Sequence, residues 1–208
     1  MACKTALRLP RNTPNEKLLQ LGISNTFSEF AEALLGASAG IGESTALHFA
    51  SLGCALSLMA RKKAPLDNVA KACCENGLPN DKVLVVPGDI SVDEDAAAVV
   101  EKTVRHFGKL DILVNNAALR VEGYTDTATL EQFDRAWNVN LRGTLCMIRN
   151  AIPHLRQSKG TIINISSASS STVDGVKHYI PLDIHDTSII HPLPTNMHLD
   201  HKGSATRQ

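Results

Sequence analysis

Gly36-Ala37-Ser38-Ala39-Gly40-Ile41-Gly42 stands immediately ahead of a run with helical periodicity. A glycine-rich turn that opens a helix suits a pyrophosphate. Gly36 takes the tight turn, and Gly40 and Gly42 leave room for a phosphate to approach the backbone. The first N–H groups of the helix, with the positive end of its dipole, then face the anion. Ser38 and Ile41 belong to the same turn and count as contact candidates with the glycines. A lone glycine triplet also arises in ordinary turns, so its weight depends on the elements downstream of it.

Beyond the turn, helices and strands alternate. Residues 43–52 read as a helix with Ala46, Leu47, Phe49 and Ala50 inward and Gly53 as its stop. The apolar run 54–59 reads as a buried strand. A helix over 65–75 and a strand over 82–86 come next. Ser91-Val-Asp-Glu94 reads as a capping box for a helix running to His106, and 110–114 as a third strand. Thr129-Leu-Glu-Gln132 caps the next helical stretch. There Leu141, Leu145, Ile148, Ile152 and Leu155 form a stripe that either covers the sheet or meets a partner helix. Residues 161–165 read as a fourth strand. The alternation predicts an α/β fold with a doubly wound parallel sheet, ligands sitting beyond the carboxyl ends of its strands.

Upstream the reading divides. Phe30-Ala-Glu-Ala-Leu-Leu35 serves as a first strand only if Glu32 is buried in it, and Thr26-Phe-Ser-Glu29 also reads as a capping box for a helix ending at Gly36. After Ser170 the periodicity stops, and Pro181, Pro192 and Pro194 interrupt the rest. The expected division is an atypical extension over 1–30, a dinucleotide-binding Rossmann-like domain over 31–170, and an irregular tail over 171–208.

The 208 residues carry a formal net charge of zero and no dominant basic face, which argues against nucleic-acid binding. No segment approaches the ~18 apolar residues of a membrane span. Five cysteines without a C-x-x-C pair read as reduced thiols. A cytoplasmic location is expected, with mitochondrial import, suggested by Lys4, Arg8 and Arg11, as the lesser alternative. His178, His185, His191, His198 and His201 match no zinc spacing, so no metal is expected.

Five segments in order resemble the short-chain dehydrogenase/reductase family: the glycine turn, Gly88-Asp89-Ile90, Leu113-Val-Asn115-Asn116-Ala117-Ala118, Asn138-Val-Asn140-Leu-Arg-Gly143, and Ile163-Asn-Ile-Ser166-Ser167. The resemblance implies a Rossmann-like sheet and reversible hydride transfer between a nicotinamide and a carbonyl or secondary-alcohol carbon. It implies that Asp89 accepts from the adenine amino group with the Ile90 backbone beside it, and that Asn115 braces the central strands. Asn116 and Ala117 would line the ribose, Asn140 would hold a relay water, and Ser167 would orient the substrate carbonyl. Tyr179 stands where the family tyrosine acid/base falls.

After residues 54–59 the chain has Ala60, Arg61, Lys62 and Lys63 in place of the acid that binds a ribose 2′-hydroxyl. Arg61 can grip a 2′-phosphate bidentately, so NADP(H) is expected over NAD(H). The family's lysine four residues past the tyrosine is absent: Asp183 holds that position, and Pro181 interrupts the helix. Little or no turnover is therefore expected, and the sheet is expected to be incomplete on its C-terminal side, as in an alternative or mis-joined transcript. The alternative is a non-catalytic cofactor-binding or dimer-partner protein, forming homo- or hetero-oligomers through the helix over 139–157.

Overall fold

The computed structural model describes residues 26–120 and 127–166. They build one parallel sheet of five strands: β1 (Ala31–Leu35), β2 (Ala55–Ala60), β3 (Val83–Pro87), β4 (Ile112–Asn115) and β5 (Thr161–Asn164). The strand order is β3-β2-β1-β4-β5, with β1 at the centre. Helices α1 (Gly40–Ser51), α2 (Lys63–Glu75) and α3 (Asp93–Phe107) connect the first four strands. Helix α4 (Leu130–Trp137), a π-helical turn over Asn138–Gly143 and α5 (Thr144–Ser158) lead to β5.

Alternation along β1 sends its side chains into two cores. Leu34, with Leu56, Leu58 and Val114, packs against Ala46 and Ala50 of α1 and Leu66, Val69 and Cys73 of α2. Ala33 and Leu35, with Met59 and Val86, pack against Val99 and Val100 of α3 and Met147, Ala151 and Leu155 of α5. The sheet is thus covered on both faces, as the alternating pattern requires.

One of the two upstream readings fails, as does one cap, and the helix stripe holds only in part. Residues 26–29 form a single 3₁₀ turn, not the start of a helix, and 31–35 is strand, all five residues buried. Pairing on both edges, with β2 and with β4, outweighs the local capping signal. Ser91 does not cap α3. Its hydroxyl donates to Asp89 Oδ1 at 2.8 Å, while the α3 N-cap is Val92 with no side-chain bond. The stripe Leu141, Leu145, Ile148, Ile152 and Leu155 covers the sheet only in part: Leu155 lies in the core and Ile148 packs against it. The face turned inward is Thr144, Met147, Ala151 and Leu155, and Leu145 is 55% exposed. The π turn changes only the phase of Leu141, which lies within it, relative to the residues of α5. The second capping box does form: Thr129 Oγ1 accepts from Gln132 N–H at 3.3 Å, and Gln132 Oε1 from Thr129 N–H at 2.9 Å.

At the amino end of the sheet, Lys82 Nζ donates to the carbonyls of Ser28 (2.8 Å) and Gly53 (3.1 Å). Asp111 accepts from the Ala31 N–H at 2.8 Å. These bonds fasten the floor and leave the opposite end, where the strands finish, free to build a site.

Candidate active site

The carboxyl ends of β1 to β4 surround a cleft of about 520 Å³. Gly36 closes β1 with a φ of +69°, and its N–H donates to Met59 O at 2.8 Å, which seats the turn on the end of β2. Helix α1 begins at Gly40, whose φ is +59°, and no side chain caps it at Ala39. Among the described residues the N–H groups of Gly40, Ile41 and Gly42 have no intrahelical or side-chain partner, the state that suits an anion. A Cβ at Gly40 would meet nothing within 4 Å, so the backbone is open there.

Gly42 works differently from the sequence reading. It is buried, and a Cβ on it would lie 2.2 Å from Gly36 O and 2.7 Å from Asn116 Nδ2. Its missing side chain lets α1 approach the end of β1; it does not make room for a phosphate. Gly36, Ser38, Ile41, Arg61, Asp89, Ile90, Asn116 and Ala117 line the cleft, whereas Gly40 and Gly42 do not line it. Asn116 faces the cleft, but its amide nitrogen donates to the carbonyls of Leu35 (3.1 Å) and Gly36 (3.2 Å). It holds the turn as well as forming the wall.

The same cleft is lined by Arg61, Lys62 and Asp89. Asp89 Oδ1 accepts from both the N–H (3.0 Å) and the hydroxyl (2.8 Å) of Ser91, and Asp89 N–H donates to Asp95 Oδ2 at 2.8 Å. Burial alone would raise the Asp89 carboxyl. The two Ser91 donors, and then the Arg61 charge, outweigh it and hold the group below its ordinary value. A fixed carboxylate and a cation thus face one end of the cleft. Ile90 beside them is set by Gly143: a Cβ at that glycine would lie 2.7 Å from the Ile90 carbonyl oxygen.

Asn140 lies in the π turn and lines a separate polar nook with Asn115, Thr144, Asn164 and Ser166; Ala117 and Ala118 border both spaces. Its side chain bonds both backbone groups of Leu119. Asn115 Nδ2 donates to Asn164 Oδ1 at 2.8 Å, tying the ends of β4 and β5 at paired register. Ser167 and Tyr179 lie outside the described residues, as do the tail over 171–208 and its histidines.

Sequence reasoning did not single out Gly143 as support for Ile90, nor Leu119 as the partner of Asn140. For Gly143 the signal was present in the Asn138–Gly143 segment, since a glycine in a helical pattern marks a close approach. For Leu119 there was none, because it acts through backbone atoms.

Comparison with known proteins agrees with this geometry. The short chain dehydrogenase family profile matches residues 33–180. "11-beta-hydroxysteroid dehydrogenase-like 3" of Arabidopsis thaliana is 40% identical over 139 residues, covering 66% of this chain and 44% of the relative. "11-beta-hydroxysteroid dehydrogenase A" of Sesamum indicum is 40% identical over 138 residues, or 39% of its length. The chain therefore spans less than half of these curated relatives. Among solved structures, a short-chain dehydrogenase/reductase of unknown function from Caenorhabditis elegans, determined with cofactor, superposes with a TM-score of 0.67 at 29% identity. The match covers 69% of this chain and 55% of that one. Glucose dehydrogenase of the same organism, in its apo form, gives 0.63 at 33% identity, over 69% and 57%. With five motifs in order, a parallel sheet wound on both faces and a cleft at its carboxyl edge, the chain belongs to the short-chain dehydrogenase family.

Proposed function

We propose that this chain binds NADP(H) in the cleft and descends from an oxidoreductase acting on a carbonyl or secondary alcohol. The observation that carries the reading is a single cleft lined by Ser38, Ala39 and Ile41 at the uncapped start of α1 and by Arg61 and Lys62 just past β2. The first suits a diphosphate and the second a ribose 2′-phosphate, while no acid stands at the end of β2 to repel one. A bound dinucleotide supplies the hydride chemistry. The chain's own part is to hold it: Asp89 and the Ile90 backbone at the adenine, Asn116 and Ala117 at the ribose.

For turnover, Ser167 would orient the substrate oxygen, Tyr179 would exchange its proton and Asn140 would serve the relay. With Asp183 where the lysine belongs, Tyr179 lacks the cation that makes phenolate accessible at neutral pH. Binding with little or no turnover is the expected behaviour, in the cytoplasm. The names of the curated relatives make hydroxysteroids and their ketones the first substrates to try.

Titration of the purified chain with NADPH and NADH, monitored by unfolding midpoint, tests the reading. A rise that is larger for NADPH supports it, because a ligand that binds only the folded chain must stabilise it. No rise with either dinucleotide refutes it. Turnover with a ketone panel near ~10 per second, an ordinary enzyme rate, would overturn the expectation of impaired catalysis.

A second reading, a partner for another subunit, rests on the apolar side chains that the fold leaves outside. Trp137, at the end of α4, is 47% exposed, and Leu145, at the start of α5, is 55% exposed. Such a face suits a second family-like subunit.

A further inference from the structure

Glu32 occupies the second position of β1, opposite Leu56 of β2 and Ile112 of β4. It is 0% exposed, and neither carboxyl oxygen has a hydrogen-bond partner. Alternation puts its side chain on the face shared with Leu34, toward α1 and α2. From α1 that layer receives Ala46 and Ala50, which do not titrate. From α2 it receives Cys73, and from the entry to β2, Cys54. Both thiols are pushed up, by burial before anything else and with Glu32 among the groups acting in the same direction: Cys54 to about 12, Cys73 to about 11. Strand β3 contributes Val83 and Val85.

The charges at the rim are engaged elsewhere. Lys82 donates to the Ser28 and Gly53 carbonyls, and Asp111 accepts from Ala31 and pairs with Lys109 at 3.1 Å. Burial holds the Glu32 carboxyl well above its ordinary value. An ionised carboxylate among Leu34, Leu56 and Ile112 would have neither water nor a counter-charge, so the neutral acid is the form that fits.

We propose that Glu32 is a proton-operated latch: β1 closes into the sheet only as the neutral acid, so the cleft-bearing fold takes up a proton and loosens as pH rises. An unfolded glutamate ionises near pH ~4.3. Above that value the unfolded chain has released a proton that the folded chain still holds. The Glu32 contribution is complete below the unfolded value and is lost as pH climbs toward the folded one. Within that window the folding constant falls about ten-fold per pH unit. The latch lies beneath the site, because Gly36 comes directly after β1 and loses its seat on Met59 if β1 leaves.

The test is denaturant unfolding of the full chain from about pH 5 to 8, below the range of unfolded thiols, for the parent, Glu32→Gln and Glu32→Leu. The expected result is a ratio of folding constants, variant over parent, that grows with pH by up to about ten-fold per unit and favours both variants at neutrality. A ratio that stays flat with pH overturns the proposal. If neither variant folds, the carboxyl-carbon resonance of Glu32 in the labelled parent decides. A protonated shift at pH 7 sustains the latch, and titration alongside the exposed glutamates removes it. Neither readout depends on whether the cleft takes a dinucleotide.

Discussion

Asn140 and Leu119 exchange two hydrogen bonds: Leu119 N–H donates to Asn140 Oδ1 at 2.7 Å, and Asn140 Nδ2 donates to the Leu119 carbonyl at 3.0 Å. The amide satisfies a stretch of backbone that no strand pairs, and so locks the π turn to the segment leaving β4. Asn140→Leu would leave both backbone groups without partners. Both bonds are part-buried, so a loss of about 1–3 kcal/mol is expected, from roughly 0.5–1.5 kcal/mol for each hydrogen bond. Chemical denaturation measures it, and an unchanged midpoint would show that water replaces the amide without cost.

Gly40 and Gly42 should respond differently to the same methyl group. Gly42→Ala drives a Cβ toward Gly36 O and the Asn116 amide, and overpacking of that kind costs about 1–3 kcal/mol. Gly40→Ala meets no atom but must keep a left-handed φ, worth about 1 kcal/mol. Denaturant midpoints should place Gly42→Ala below Gly40→Ala; the reverse order would contradict the packing described for α1 and β1.

Arg61→Ala should weaken NADPH far more than NADH. Hydrogen bonds to a charged group are worth about 1.5–3 kcal/mol, or roughly ten- to hundred-fold in Kd. Fluorescence titration of both dinucleotides gives the ratio. Equal losses would remove the 2′-phosphate role and leave Arg61 a general rim charge.

The acid side of stability should carry the mark of Asp89. Its folded value is depressed, so its contribution is complete above the unfolded value of about 3.9 and disappears as pH falls through the folded value. The gap in unfolding midpoint between parent and Asp89→Ala should be widest near neutrality and close below about pH 4. A gap that persists into acid would mean that the Ser91 bonds matter through geometry rather than charge.

Leu145→Glu and Trp137→Glu test the exposed side of α4 and α5. If that side meets a second subunit, either change should shift sedimentation toward the single chain while leaving the far-ultraviolet spectrum intact. Identical sedimentation of parent and variants would dismiss the partner reading.

Much of the fold was legible because its strands are short apolar runs separated by glycine stops, and because the glycine turn fixes where a helix must begin. Boundaries moved by one to three residues. The failures share a cause: local side-chain signals compete with tertiary partners that sequence spacing does not reveal. Thr26 and Glu29 spell a cap, yet the strand beside them is paired on both edges. Ser91 spells a cap, yet Asp89 two residues earlier takes its hydroxyl. The Leu141 to Leu155 stripe runs one residue off the buried face of α5, which centres on Met147 and Ala151 and shares only Leu155 with it. Within the site, Asp89, Asn116 and Arg61 were found from motif position. The double duty of Asn116 and the packing role of Gly42 needed coordinates, because each depends on how closely α1 approaches β1.

The placement of β1 at the centre of the sheet sets an order on synthesis. Ala31 is among the earliest described residues to leave the ribosome, yet its N–H finds its acceptor in Asp111, 80 positions later. Until β4 emerges, a nascent β1 has one open edge and a carboxyl group with no dry environment to enter. The Gly36 turn can therefore become rigid only once β4 has emerged, and the interval before that is when a chaperone or a protease would meet the chain.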